Sequence, residues 1–227
     1  MNKSGEFTDH WTGTLGISKL SMAYVGVVGL TRRSTSMAHR ILIEDGRAKR
    51  VSLVPQGRLC APLPNGGLTA IVYLDPRRFA LADAQALAAR WRTFSPEHNG
   101  VGDLLDDLDS WGARPLDRSL ACALELLREG IRPADAARQA GMSESKMVRL
   151  FNAQLGAPPK SWLMWMRLRR SLDHLLEGGT VTQAAHEAEF ADSSHFSRAC
   201  SKAFGLAPSL LGAMRGKVVQ SGSACIL

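Results

Sequence analysis

Nine side chains in the C-terminal half are short hydrogen-bonding or cationic groups set at helical spacing. Ser145, Lys146, Arg149 and Asn152 form one set, and Ser194, Ser197, Arg198, Ser201 and Lys202 form the other. Short hydroxyl and amide groups around one planar guanidinium match the donor and acceptor pattern of base edges in a major groove, while lysine ammonium groups match phosphates. Ser145 and Ser194, like Arg149 and Arg198, are related by the same displacement of 49 residues.

The elements that must carry these side chains are themselves duplicated. "GMSESKMVRLFNAQLGAPP" returns as "FADSSHFSRACSKAFGLAP", and upstream "ADAARQAG" matches "TQAAHEAE" at a displacement of 48. The one-residue difference places the slip in the turn. Each copy reads as an Ala-rich helix, a tight turn, and a second helix opened by Ser or Asp and closed by Gly. At 100° per residue Met147, Leu150, Phe151 and Leu155 share one face, and Phe196, Ala199, Cys200 and Phe204 share its counterpart. Burial of those faces turns the polar sets outward. A solvated face on an ordinary helical hairpin is the competing reading, weakened by the Arg-on-Arg correspondence.

At these residues the sequence resembles the AraC/XylS family of bacterial transcription regulators, over roughly residues 116 to 211. The run "GMSESKMVRLFNAQLGAPP", set against a family pattern G-x-S-x-s-x-L-x-R-x-F-k…G-x-s-P, Arg167, Leu168, Leu175 and Leu176 in the connecting stretch, and "EFADSSHFSRACSKAFGLAP" carry the resemblance. It implies seven helices, with two recognition helices on a rigid connector entering successive major grooves. It also implies that Ser145, Val148, Arg149, Ser193, Ser194, Ser197 and Arg198 face bases, with Lys146 and Lys202 toward phosphates; Val148 then has two readings of equal weight, touching a thymine methyl or belonging to the apolar flank of its helix. Three positions depart from the family pattern: Glu189 where it prefers Gly, Cys200 for Phe, and Ser171 for a small Ala. Double-stranded DNA is the implied partner. A small-molecule effector, RNA polymerase and a second copy of the chain are further candidates.

Charge agrees with this. The chain carries +7 at pH 7, with thirteen basic against eleven acidic residues up to position 112 and fifteen against ten beyond it. No apolar run reaches the roughly 18 residues of a spanning helix, and the N-terminus lacks signal-peptide regions, so a cytoplasmic location away from membranes is expected. Cys60, Cys122, Cys200 and Cys225 are scattered, which argues against a disulfide frame or zinc ribbon; Cys122 and Cys200 read as core residues. No cofactor and no metal site is expected. His39 stands alone and reads as a strand residue, and His195 has no metal-ligand partner at usable spacing.

The N-terminal part shows β-branched segments at 24–30, 38–44, 50–54 and 68–74, with "IEDGRAK" as a hairpin turning at Asp45 and Gly46. Helices follow over 81–93 and 101–111. Their apolar side chains exceed what a fifty-residue sheet should cover, which points to self-association. "LTRRS" at 30–34 reads as a solvated edge in preference to an anionic-ligand contact. The loose resemblance of "AHRILIEDG", "SLVPQG" and "AIVYLDP" to family sensor strands implies a truncated cupin-like unit.

The expected fold is α+β: an all-α C-terminal domain (113–215) with two helix-turn-helix motifs joined by a connector helix, preceded by a small β-rich domain ending in two helices (1–112), and followed by a flexible tail (216–227). The leading function is a sequence-specific, non-enzymatic transcription regulator. An architectural DNA binder, and an enzyme of cupin or DNA-repair type, are the alternatives. The enzyme reading lacks a metal-ligand cluster, a nucleophile beside a base and a phosphate loop.

Overall fold

The computed structural model describes residues 11–212 apart from 19–20, 46–48, 64–65 and 113, together with the backbone of 218–220. Strands β1 (Thr12–Ser18), β2 (Ser21–Val27), β4 (His39–Asp45), β5 (Arg50–Val54), β7 (Leu68–Leu74) and β8 (Val218–Gln220) form one sheet in the order β5-β4-β7-β2-β1-β8. All neighbours are antiparallel except β1 and β8. β3 (Ser34–Thr35) and β6 (Leu59–Cys60) form a separate two-stranded ribbon.

The central strands are apolar on both sides because both faces of the sheet are covered. Ala23, Val25, Ile41, Ile43, Ala70, Val72 and Leu74 point to one face, where α1 (Leu81–Arg90) and α2 (Val101–Asp109) add Leu87, Trp91, Leu104, Leu105 and Leu108. Trp91 Nε1 donates to Asp107 at 2.7 Å and locks the two helices together. Their apolar faces are therefore buried within the chain, which removes the reason given above for self-association through them. Both end earlier than expected, at Arg90 and Asp109.

The alternate residues, among them Leu15, Met22, Tyr24, Leu42, Ile71 and Tyr73, face the C-terminal half and share a core with Trp165, Leu168, Leu172, Phe196 and Phe204. Among the described residues, seven helices follow the sheet and its two helices: α3 (Arg118–Arg128), α4 (Pro133–Gln139), α5 (Glu144–Leu150), α6 (Pro159–Glu177), α7 (Val181–Glu187), α8 (Ser193–Phe204) and α9 (Pro208–Gly212). A five-residue π turn, Phe151–Leu155, continues α5.

Along α6, Trp162 packs into the core of α3–α5 while Trp165, Leu168, Leu172 and Leu175 pack into the core shared with the sheet. Trp165 Nε1 donates to buried Asp75 at 3.1 Å, and Arg169 donates to the Ser18 and Ser21 carbonyls at 2.8 and 3.1 Å. The connector is thus bonded to the end of β7 and to the β1–β2 hairpin.

Several sequence expectations need correction. β1 and the ribbon lie outside the expected strands, and Val218–Gln220, within the stretch expected to be a tail, pair in parallel with β1 as β8. Cys122 is exposed, because the buried phase of α3 runs through Leu120, Ala123, Leu124 and Leu127 and leaves position 122 outside it. Cys200 is buried, and desolvation pushes its thiol up to about 12. Gly46 and Cys225 lie outside the described residues.

Candidate DNA-binding site

Two helix-turn-helix units are built with the same hydrogen bonds. In the first, α4 begins with Pro at its first turn and ends where the Gly141 amide donates to Arg138 O (3.1 Å) and the Met142 amide to Ala137 O (3.0 Å). In the second, the Glu189 amide donates to His186 O (3.0 Å) and the Phe190 amide to Ala185 O (2.9 Å) after α7. Such closure requires a left-handed residue at the turn. Gly141 has φ 70°, and Glu189 is the sole non-glycine with positive φ among the described residues, at 59°.

The slip between the repeats is Ala191, inserted between the turn and the N-cap of α8. Ser143 caps α5 by accepting from the Lys146 amide at 3.2 Å, and Asp192 caps α8 by accepting from the His195 amide at 2.6 Å. Both recognition helices close on a left-handed glycine, Gly156 (φ 71°) and Gly205 (φ 76°).

The buried faces are those the spacing indicates: Met147, Phe151 and Leu155 in the first unit, with Leu150 partly covered, and Phe196, Ala199, Cys200 and Phe204 in the second. Outward, Ser145, Val148, Arg149 and Asn152 are exposed and Lys146 is half-buried. Val148 is 40 % exposed, on the same side of α5 as Ser145 and Arg149. Asn152 falls in the π turn. On α8, Ser194, Arg198 and Lys202 are exposed, while Ser193 and Ser197 are half-buried. Arg149, Arg198, Lys146 and Lys202 make no ion pair among the described residues, leaving four cations available to an anionic partner.

The departures from the family pattern have local compensation. Ser171 is fully buried and its hydroxyl donates to the Arg167 and Leu168 carbonyls at 3.0 and 2.9 Å. The Glu189 carboxylate lies 3.6 Å from Arg167 and 3.5 Å from Arg170, two connector cations whose role sequence spacing did not reveal. His195 stacks edge-on against Phe190, with ring centroids 5.3 Å apart. His39 is buried; its Nδ1 accepts from the Gln56 amide at 3.3 Å, and desolvation holds its pKa below the usual imidazole value.

The matched turns, caps and outward faces can be set beside known proteins. Residues 136–212 match the family described as "Helix-turn-helix domain". They form a helix-turn-helix domain. The chain is 36% identical over 95 residues to "Regulatory protein ada" of Salmonella typhimurium, covering 41% of this chain and 27% of that protein. It is 31% identical over 126 residues to "Bifunctional transcriptional activator/DNA repair enzyme Ada" of Escherichia coli, covering 54% and 33%. Among solved structures it is similar to an AraC-type DNA-binding transcriptional regulator from Chromobacterium violaceum, at 25% identity and TM-score 0.42, over 43% of this chain and 92% of that one. The chain spans about a quarter to a third of the length of these two curated relatives. Among the described residues no helix is long and apolar enough to cross a membrane.

Proposed function

We propose that this protein is a transcription regulator that recognises a specific double-stranded site with α5 and α8 in successive major grooves. The observation that carries this reading is the paired geometry. Two helices with the same caps, the same glycine closure and the same outward Ser/Arg pattern are mounted on one nineteen-residue connector. Arg149 and Arg198 read guanines or, failing that, phosphates; Ser145, Asn152, Ser193, Ser194 and Ser197 supply hydrogen bonds to base edges; Val148 meets a thymine methyl; Lys146 and Lys202 hold the backbone.

The N-terminal sheet acts as the regulatory body. Because Trp165, Arg169 and Phe204 bind α6 and α8 to it, a small-molecule effector or a second copy of the chain acting on the sheet can shift the second reader. RNA polymerase is the further partner such a regulator would engage. Competition of a selected duplex against unrelated DNA tests the reading. A regulator prefers its site by about 10³-fold or more, whereas near-equal binding to both duplexes would favour an architectural protein.

A further inference from the structure

We propose that the β3–β6 ribbon is a third DNA-contacting element, using Arg32, Arg33 and Arg58 to grip phosphates alongside the two recognition helices; this rests on the DNA-binding reading above. One recognition helix ends against the loop that flanks the ribbon, and the other ends near it. The Arg32 amide donates to the Gly205 carbonyl at 3.0 Å, and a methyl group at position 205 would overlap the Arg32 carbonyl. On the other side, a Cβ at Gly156 would meet Gln56 Oε1 at 3.7 Å. Gln56 belongs to the turn leading into β6, so the same short ribbon is bonded to the C-terminal glycine of one reader and passes near that of the other.

The ribbon is held in place by its own bonds. Ser36 N donates to Arg58 O at 3.0 Å, Gly57 N donates to Ser36 O at 2.7 Å, and Ser34 and Cys60 are a buried cross-strand pair facing the protein. Arg32, Arg33 and Arg58 are exposed and make no ion pair among the described residues.

The local sequence supplies little to neutralise them. Between positions 26 and 74 the only acidic residues are Glu44 and Asp45, and Glu44 is paired with Arg50. No acidic residue follows Asp192 in the remainder of the chain. A duplex lying across both readers brings its phosphates past the surface that joins them. Unpaired guanidinium groups fixed to that surface suit phosphate oxygens, which carry position but no base identity.

The test is the salt dependence of binding by the full chain, from 50 to 200 mM, to a duplex selected by the wild-type protein. Each lost phosphate contact should make the log–log slope shallower by about 0.9, so Arg32→Ala, Arg33→Ala and Arg58→Ala combined should lose about 40-fold less affinity than wild type across this fourfold range. Preference for the selected duplex over unrelated DNA should not change, and the triple Lys variant should keep the wild-type slope. A triple Ala variant with the wild-type slope overturns the proposal, and so does one that loses site preference at unchanged slope. Should the triple variant unfold, single Arg33→Ala and Arg58→Ala decide, each expected to remove about 0.9 from the slope. Failure of the wild type to select any duplex would refute the regulator reading itself, at an earlier and separate step.

Discussion

Replacing Glu189 with Gly and, separately, with Ala isolates the conformational cost of the second turn. At φ 59° a residue with a Cβ loses roughly 1 to 2 kcal/mol relative to Gly. Gly returns about 0.4 to 1 kcal/mol of this through the greater entropy of its unfolded chain. Both variants also lose the contacts to Arg167 and Arg170. With the Glu189 side chain 56% exposed and the arginines 38% and 43% exposed, those contacts are worth about 0 to 1 kcal/mol in total.

Glu189→Ala should therefore be slightly less stable than wild type, and Glu189→Gly should exceed the Ala variant by about 0.8 kcal/mol on the same figures. Against wild type the Gly variant should gain about half a kcal/mol or less, because the lost ion pairs offset part of the relief. Urea unfolding monitored by circular dichroism measures the differences, with a shared m value as the check that only stability has changed. The gap between Gly and Ala variants should persist at high salt, which screens the ion pairs but leaves φ untouched. A Gly variant no more stable than the Ala variant would refute the strain argument.

Other perturbations address the interface, the connector and the buried histidine. Arg149→Ala and Arg198→Ala should each cost about 1 to 3 kcal/mol of specific binding, while Lys202→Ala should weaken binding to every duplex alike; fluorescence anisotropy on selected and unrelated DNA separates the two. Asp75→Ala leaves Trp165 Nε1 without its acceptor and Arg77 without its 2.9 Å partner, so it should destabilise the chain by about 3 kcal/mol in a denaturant titration. His39 is held neutral by burial, so the unfolded chain binds the extra proton as pH falls below about 6.5. The stability it contributes is present above that pH and declines below it toward the lower folded value; His39→Gln should flatten this part of a stability–pH profile.

The C-terminal architecture was legible because its signals are local and repeated. Ser143 and Asp192 at the N-caps, Gly156 and Gly205 at the closures, and the 3.6-residue phase of Met147, Phe151, Phe196 and Phe204 all act within a turn or two of themselves. The strands at β4, β5 and β7 were legible for the same reason. What escaped depends on distant partners. β1 has the sequence TGTLGIS, whose small residues form a strand only by pairing with β2 and β8, and two-residue strands such as β3 and β6 have no period to detect.

Distance also explains the fate of α1 and α2. Their apolar side chains are in excess only for a fifty-residue sheet, whereas the sheet runs from Thr12 to Leu74 with both faces covered. Ninety residues separate Trp165 from Asp75, and no spacing rule links them. Among the candidate site residues, sequence phase distinguished the outward side of each helix from its buried side. Whether Val148 faced outward needed the structure, because one exposed apolar residue looks the same in sequence as the rim of a core.

The measurement that bears most directly on two-helix recognition is selection of bound fragments from random double-stranded DNA by the wild type, Arg149→Ala and Arg198→Ala proteins. The wild type is predicted to enrich a bipartite site whose halves lie about one helical turn, 10 to 10.5 base pairs, apart. Each Arg variant should lose sequence information in one half and keep it in the other, and the two should lose different halves. A wild type that enriches no sequence, or variants that erode both halves equally, would contradict the account.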